Sequence, residues 1–262
     1  MQDAMFSGLF GALTTEHRMN FIANNLANVN TNGYKKDTVA FKDTMATFAH
    51  DEIREPLMNC RSTPLFPEPK NMARPRIAVS QTDFTQGSMH FTGDPLDLAI
   101  TGDAFFKVNT PTGDFYTRNG HFLRTADGTV VTPQGWPLQG AGGNIVIPAG
   151  TRSVHIGDDG QVFADGEAIN NINLVTVDKL TNLEKMGRNL YRPRSNVNVV
   201  EQDALAGGAR VAQGFIETSN VEVVSEMVNM IETNRQFEAY QKVMQSADSL
   251  DREATSKIGR RA

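Results

Sequence analysis

The period of the apolar positions changes twice along the chain. Near the amino terminus, Met5, Leu9, Ala12, Met19, Ala23 and Leu26 alternate in steps of four and three. Glu16 takes the one polar step, and Phe6, Leu13 and Ile22 widen the stripe. A seven-residue repeat of this kind predicts a helix over residues 1–28 with a seam that meets another helix. The turn-forming cluster Asn30-Thr31-Asn32-Gly33 stops it near Asn28. Towards the other end a similar stripe runs through Val223, Met227, Met230, Phe237, Tyr240, Met244, Ala247, Leu250, Ala254 and Ile258, with Asn234 as its polar step. It predicts a helix within 217–258, about 35 residues and roughly 50 Å long at the helical rise. Ser219 or Asn220 is the expected cap of its start, with Glu222 near the positive helix end.

Between these ends the pattern is short and broken. All eleven prolines lie there, with most of the twenty-two glycines. Strand-like runs occur at residues 105–108, 114–117, 121–123, 129–132, 145–147, 153–156, 161–163 and 174–177, separated by turn formers. Asn119-Gly120 reads as a hairpin turn. The stretch holding Pro56, Pro64, Pro67, Pro69 and Pro75 reads as an extended connector. The fold expected is therefore α+β, with paired N- and C-terminal coiled-coil-like helices and a central all-β domain. Its parts are residues 1–34, an assembly helix and the following turn; 35–76, the proline-rich connector; 77–212, the β domain; and 213–262, the second assembly helix. A single helix pair is narrow and buries only part of its apolar surface, so neighbouring subunits are expected to cover the rest.

Candidate chemistry changes this picture little. A formal charge of −5 argues against a nucleic-acid partner, which needs a basic surface. The single cysteine, Cys60, permits no intrachain disulfide. No apolar run is long enough to cross a membrane as a helix, and Met1-Gln2-Asp3-Ala4 does not read as the start of a cleaved leader. The five histidines are scattered without zinc-ligand spacing. Asp158-Asp159-Gly160 and Asp165-Gly166-Glu167 fail the calcium-loop pattern and read as tight turns. Gly140-Ala141-Gly142-Gly143 precedes a strand and not a helix, so it lacks a phosphate-binding helix end. No catalytic constellation, metal or cofactor is expected.

The polar end of the first helix carries a more specific signal. Asn24-Asn25-Leu26-Ala27-Asn28, followed by Thr31, Gly33, Tyr34 and Lys35, resembles the amino-terminal signature of the flagellar axial proteins, the family of rod, hook and hook-associated subunits. Gln86-Gly87-Ser88, the stretch from Thr92 to Phe106, Tyr116-Thr117-Arg118-Asn119-Gly120 and Val131-Thr132-Pro133-Gln134-Gly135 are similar to the rod-and-hook subgroup. So is the run from Gln213 to Val221, continued by residues 226–231 and 235–238. The resemblance implies a structural subunit of a helical tube in the periplasmic rod of the basal body, not an enzyme. It implies copies of itself and other rod subunits as partners, and leaderless passage through the flagellar export apparatus. The Met1–Met5 opening, the 44–75 stretch and residues 248–254 favour the proximal rod member over the distal one, and the hook subunit, usually longer through an added outer domain, is the further alternative. An adhesin-like β domain is the alternative from another class. The assembly interface expected comprises Leu9, Leu26, Met227, Met230, Phe237, Tyr240 and Leu250 on the stripes, with Asn24, Asn25 and Asn28. The asparagines both donate and accept, so they can serve the helix end and a neighbour alike.

Overall fold

The computed structural model describes residues 2–47, 71–177, 179–194, 201–203 and 208–259. A first helix, α1, spans Gln2–Ala27, and a last helix, α2, spans Val223–Gly259. Between them the described residues are strands and turns, with one short 3-10 turn at Leu180–Asn182. The α+β class follows directly from this order. The described residues within 1–23, 39–80 and 224–262 form one compact unit, and those within 24–38 and 81–223 form a second. Asp37–Thr47, inside the stretch read as a connector, is a strand that pairs with Asn71–Thr82, which runs from that stretch into the expected β domain; residues 48–70 lie outside the described residues. No described helix is long and apolar enough to cross a membrane.

The first unit holds the two helices. Tyr240 of α2 lies against Gly11 of α1 so closely that an added Cβ would come 2.4 Å from its ring. One turn earlier, Met244 approaches the same imagined atom on Gly8 to 3.1 Å. The glycines let a bulky aromatic and a thioether reach the α1 backbone.

A six-stranded antiparallel sheet organises the second unit. Its spatial order is Leu183–Gly187, Leu190–Pro193, Gly113–Thr117, Phe105–Thr110, Leu174–Val177 and Glu201–Asp203. Successive side chains leave opposite faces of a strand, and here both faces are buried. Phe106, Val108, Phe115, Leu174 and Leu190 enter the larger core, with Leu98, Phe122, Leu138, Ile145 and Ile147. Their neighbours Phe105, Tyr116, Val175 and Tyr191 enter a smaller core with Phe84, Val177 and Leu183. Complete burial of a phenylalanine contributes about 1.5–3 kcal/mol, and Phe105 and Phe106 are both fully buried on opposite sides.

Several turns differ from expectation. Asn119-Gly120 forms no hairpin: Gly120 does not take positive φ, and its carbonyl accepts from Leu98 N–H at 2.9 Å. Among the described residues, two-residue hairpin turns with positive φ at both positions lie at Asp165-Gly166, with φ of 50° and 90°, and at Arg188-Asn189, with φ of 53° and 57°. Residues 121–123 and 145–147 supply core side chains from mostly irregular backbone, with only Leu123–Arg124 forming a strand there. Asp158-Asp159-Gly160 is a turn, closed by Gly160 N–H to Gly157 O at 2.9 Å. Gly140, by contrast, sits in a short strand paired with Gly143–Asn144.

Candidate functional site

The end of α1, its exit segment and the run-in to α2 meet within the second unit. Asn24 and Asn28 close the helix: Asn28 Nδ2 donates to Asn24 O at 2.8 Å and to Asn24 Oδ1 at 2.9 Å. Asn25 is buried and acts differently. Its Nδ2 donates to Asp37 O and its Oδ1 accepts from Asp37 N–H, each at 3.0 Å, while Tyr34 Oη donates to the same Oδ1 at 3.1 Å. One side-chain amide thus binds both backbone polar groups of one residue, as a strand neighbour would. Leu26 is half-buried.

Gly33 then takes φ of 68°, and its N–H donates to Glu217 O at 2.7 Å. A Cβ there would lie 2.5 Å from the Arg118 carbonyl carbon, so both the conformation and the contact demand glycine. This turn drives Lys35 into the interior, where its side chain is fully buried. Lys35 Nζ donates to Glu217 Oε1 at 2.6 Å and to Thr85 O at 2.7 Å. Glu217 Oε1 also accepts from Gly87 N–H at 2.8 Å. Across the carboxylate, Arg118 Nη1 lies 3.4 Å from Glu217 Oε2, and Arg118 Nη2 donates to Gly102 O at 2.7 Å. The Arg118 guanidinium stands 5.0 Å above the Phe105 ring, so the cluster rests on the smaller core. Gly87 is required as well, since a Cβ would come 2.1 Å from Thr218 O.

Two cations therefore share one buried carboxylate. Burial pushes the Lys35 amine below its ordinary value, and the Glu217 charge opposes that shift. Burial acts on Arg118 in the same direction, again opposed by Glu217. Such a cluster persists only when each partner is present, because an uncompensated buried charge is strongly destabilising. Around it, Asn220 Oδ1 accepts from Lys36 N–H at 2.8 Å and its Nδ2 donates to Asp83 O at 2.9 Å. Ser219 and Asn220 are consequently not the cap of α2, which begins at Val223; Asn220 is spent on bracing the α1 exit. Lys185 bridges the outer side, 3.0 Å from Asp37 Oδ2 and 3.8 Å from the Tyr34 ring centroid. Asn24 and Asn28 line an open polar groove there with Asn119, Lys185 and Arg188.

The residues expected at an assembly interface fall into two groups. Asn24, Asn25, Leu26 and Asn28 belong to this junction. Leu9, Met227 and Leu250 are exposed on the helices, while Met230, Phe237 and Tyr240 are half-buried. Lys35, Gly87, Arg118, Glu217 and Asn220 were not expected as site residues. Their signal lay in the motifs themselves: Gly33-Tyr34-Lys35, Gln86-Gly87-Ser88, Arg118-Asn119-Gly120 and Glu217-Thr218-Ser219-Asn220 are distant in sequence and converge here.

One buried ion cluster thus joins the α1 exit and the run-in to α2 within the second unit, and apolar residues are exposed on the helices. Comparison with known proteins shows the class. The family model for flagella basal body rod protein matches residues 11–35, that for the flagellar hook protein FlgE/F/G D1 domain matches 99–164, and that for the flagellar basal body rod FlgEFG protein C-terminal matches 212–257. Flagellar basal-body rod protein FlgF of Caulobacter vibrioides is 34% identical over 261 residues, covering 99% of each chain. Flagellar basal-body rod protein FlgG of Buchnera aphidicola (from Acyrthosiphon pisum) is 34% identical over 88% of this chain and 90% of its own. FlgG of Bacillus subtilis is 32% identical over 95% and 97%. The chain belongs to the flagellar basal-body rod protein family. It is a structural subunit of the basal-body rod and not an enzyme.

Proposed function

We infer that the chain builds the rod by helical polymerisation through α1 and α2, which pair as a coiled coil and complete their apolar seams against neighbouring subunits. The observation that carries this reading is exposure. Met5, Phe6, Leu9 and Leu13 on α1, and Met227, Ile231 and Leu250 on α2, remain in water in the single chain. At ~25 cal/mol per Å2, a few hundred Å2 of apolar burial per neighbour contributes several kcal/mol before ordering costs. Contacts between unlike surfaces then give an open helical stack and not a closed ring. The proximal end of the rod is the favoured position, supported by the Met1–Met5 opening and residues 248–254. A distal position is the second reading, favoured by FlgG relatives as similar as the FlgF one. Passage through the flagellar export apparatus belongs to the same proposal.

Leu250→Asp tests the assembly mechanism. Leu250 is 55% exposed, so a charge there leaves the β unit folded. Incorporation into rods, read by quantifying the chain in isolated basal bodies, is expected to fall at least tenfold. Normal incorporation would remove the helix stripe from the mechanism. Imaging basal bodies of a deletion strain separates the two positions: a rod cut short near the inner membrane is the proximal outcome, and loss of the outer part alone the distal one.

A further inference from the structure

We propose that the two-stranded ribbon of Met89–Phe91 and Phe215–Glu217 is a docking surface for the first turns of α2 of a second copy of this chain. Phe91 is 65% exposed and Met89 38% exposed, although both sit in regular paired backbone. Phe215 lies opposite Phe91, with ring centroids 5.1 Å apart. The Phe91 ring is held in place from beneath. Gly93 and Gly214 both take positive φ and bring bare backbone under it, so that added Cβ atoms would lie 3.7 and 3.4 Å from the ring. Residues 88–93 contain no acid, lysine or arginine. An aromatic pair beside a methionine, preordered and uncharged, has the make-up of an interface anchor.

The occupant follows from what the same chain leaves uncovered. On α2, Val224, Met227, Val228 and Ile231 are 73%, 49%, 50% and 56% exposed. Their spacing of three, four and seven places them on one helix face. Residues 223–231 carry a single charge, Glu226, whereas residues 232–259 carry nine. Within α2, only the start therefore matches the apolar Met89–Phe91 side of the ribbon without stranding charges in the contact. Gly8 and Gly11 of α1 engage α2 further along, at Tyr240 and Met244, and do not take this face. An open stack joins unlike surfaces of identical subunits, and these are two unlike apolar surfaces that every repeat must cover. A few side chains of this size make one contact among several and not a whole interface.

The inference rests on the rod reading, and its test keeps the two apart. A full-length chain with the photo-crosslinking residue p-benzoylphenylalanine in place of Phe91 is expressed in motile cells, and rods are isolated and irradiated. The expected product joins position 91 to a peptide within residues 223–231 of a second copy. A crosslink confined to the β unit of the neighbour, or none in rods that contain the chain, overturns the proposal. In parallel, Phe91→Asp is expected to melt as the wild type does and to incorporate at least tenfold less; wild-type incorporation of a folded Phe91→Asp chain also overturns it. Absence of the wild-type chain from rods would sink the rod reading and this contact with it.

Discussion

At the scale of single residues, burial and hydrogen bonding decide which polar groups matter. Tyr191 is fully buried, and its hydroxyl has no hydrogen-bond partner among the described residues. Burial pushes its phenol well above the ordinary value. An unmade hydrogen bond in the core costs about 1–3 kcal/mol, so Tyr191→Phe is expected to hold or raise stability by about 1 kcal/mol in denaturant melts. A clear loss would reveal a buried water on that hydroxyl. Asp165 gives a different test. Its carboxylate accepts from Ser153 N–H at 2.9 Å and from Arg152 N–H at 3.1 Å, and these bonds, that of Ser153 foremost, hold its carboxyl below the ordinary range. A folded value below the unfolded one means that the folded state releases this proton more readily. The stabilisation is therefore complete above the unfolded value, near 3.8, and is lost as pH falls through the folded value. NMR titration of Asp165 should show a midpoint below that of a model peptide, and Asp165→Asn should lose this part of the acid limb. Neither residue was legible in sequence as special. A tyrosine in a strand gives no sign of whether its hydroxyl finds a partner, and an Asp-Gly turn hides which amides its carboxylate reaches.

Elements were legible to different degrees, for physical reasons. Both helices show in the sequence because a seven-residue repeat maintained over several turns has few other readings. α2 was placed a few residues early because Ser219 and Asn220 look like caps, whereas tertiary bonds claim the Asn220 side chain. Alternation at 145–147 reported core-facing side chains, and the backbone there pairs with residues 128–130 only through the single bridge Thr129–Val146, too short to make a strand. Asn119-Gly120 misled because Asn-Gly favours the mirror-image turn only where strands continue on both sides; here Arg118 must turn inward to Glu217. The apolar stripes did not show that Gly8 and Gly11 of α1 are the points where Met244 and Tyr240 of α2 come close. Gly11→Ala tests this approach. In an isolated helix that change stabilises by roughly 1 kcal/mol, but here the new Cβ falls 2.4 Å from the Tyr240 ring. The ring must swing out, so helical circular dichroism should melt earlier in Gly11→Ala. In a Tyr240→Ala background the same change should melt later. Two effects of equal sign would mean that the helices do not meet at this point.

At the scale of the whole molecule, the family motifs make sense as one object. Each is a short string whose purpose is invisible locally: a glycine of positive φ, a lysine that enters the core, an arginine after a strand, a glutamate in an apolar run. Sequence spacing could not show that residues 35, 118 and 217 touch, because nothing along the chain measures distance across the fold. What they form is a buried fastening within the second unit that joins the α1 exit to the run-in to α2. Glu217 is its shared acceptor, so Glu217→Gln keeps the shape and removes the charge. Lys35 and Arg118 would then stay buried without their counter-ion, a loss of about 3–5 kcal/mol by precedent for broken buried pairs. Adding Lys35→Met removes one stranded cation and should recover part of that loss, which separates an electrostatic fault from a packing one. Leu250→Asp makes the informative contrast. It is expected to leave the melting of the β unit unchanged while removing incorporation, whereas Glu217→Gln should lower both together, and incorporation of the double variant should follow its regained stability. If Glu217→Gln melted like the wild type, the junction would be dispensable to the fold. If Lys35→Met with Glu217→Gln regained stability but not incorporation, the charges themselves would be acting in assembly, and the fastening would have to be placed among the contacts between subunits.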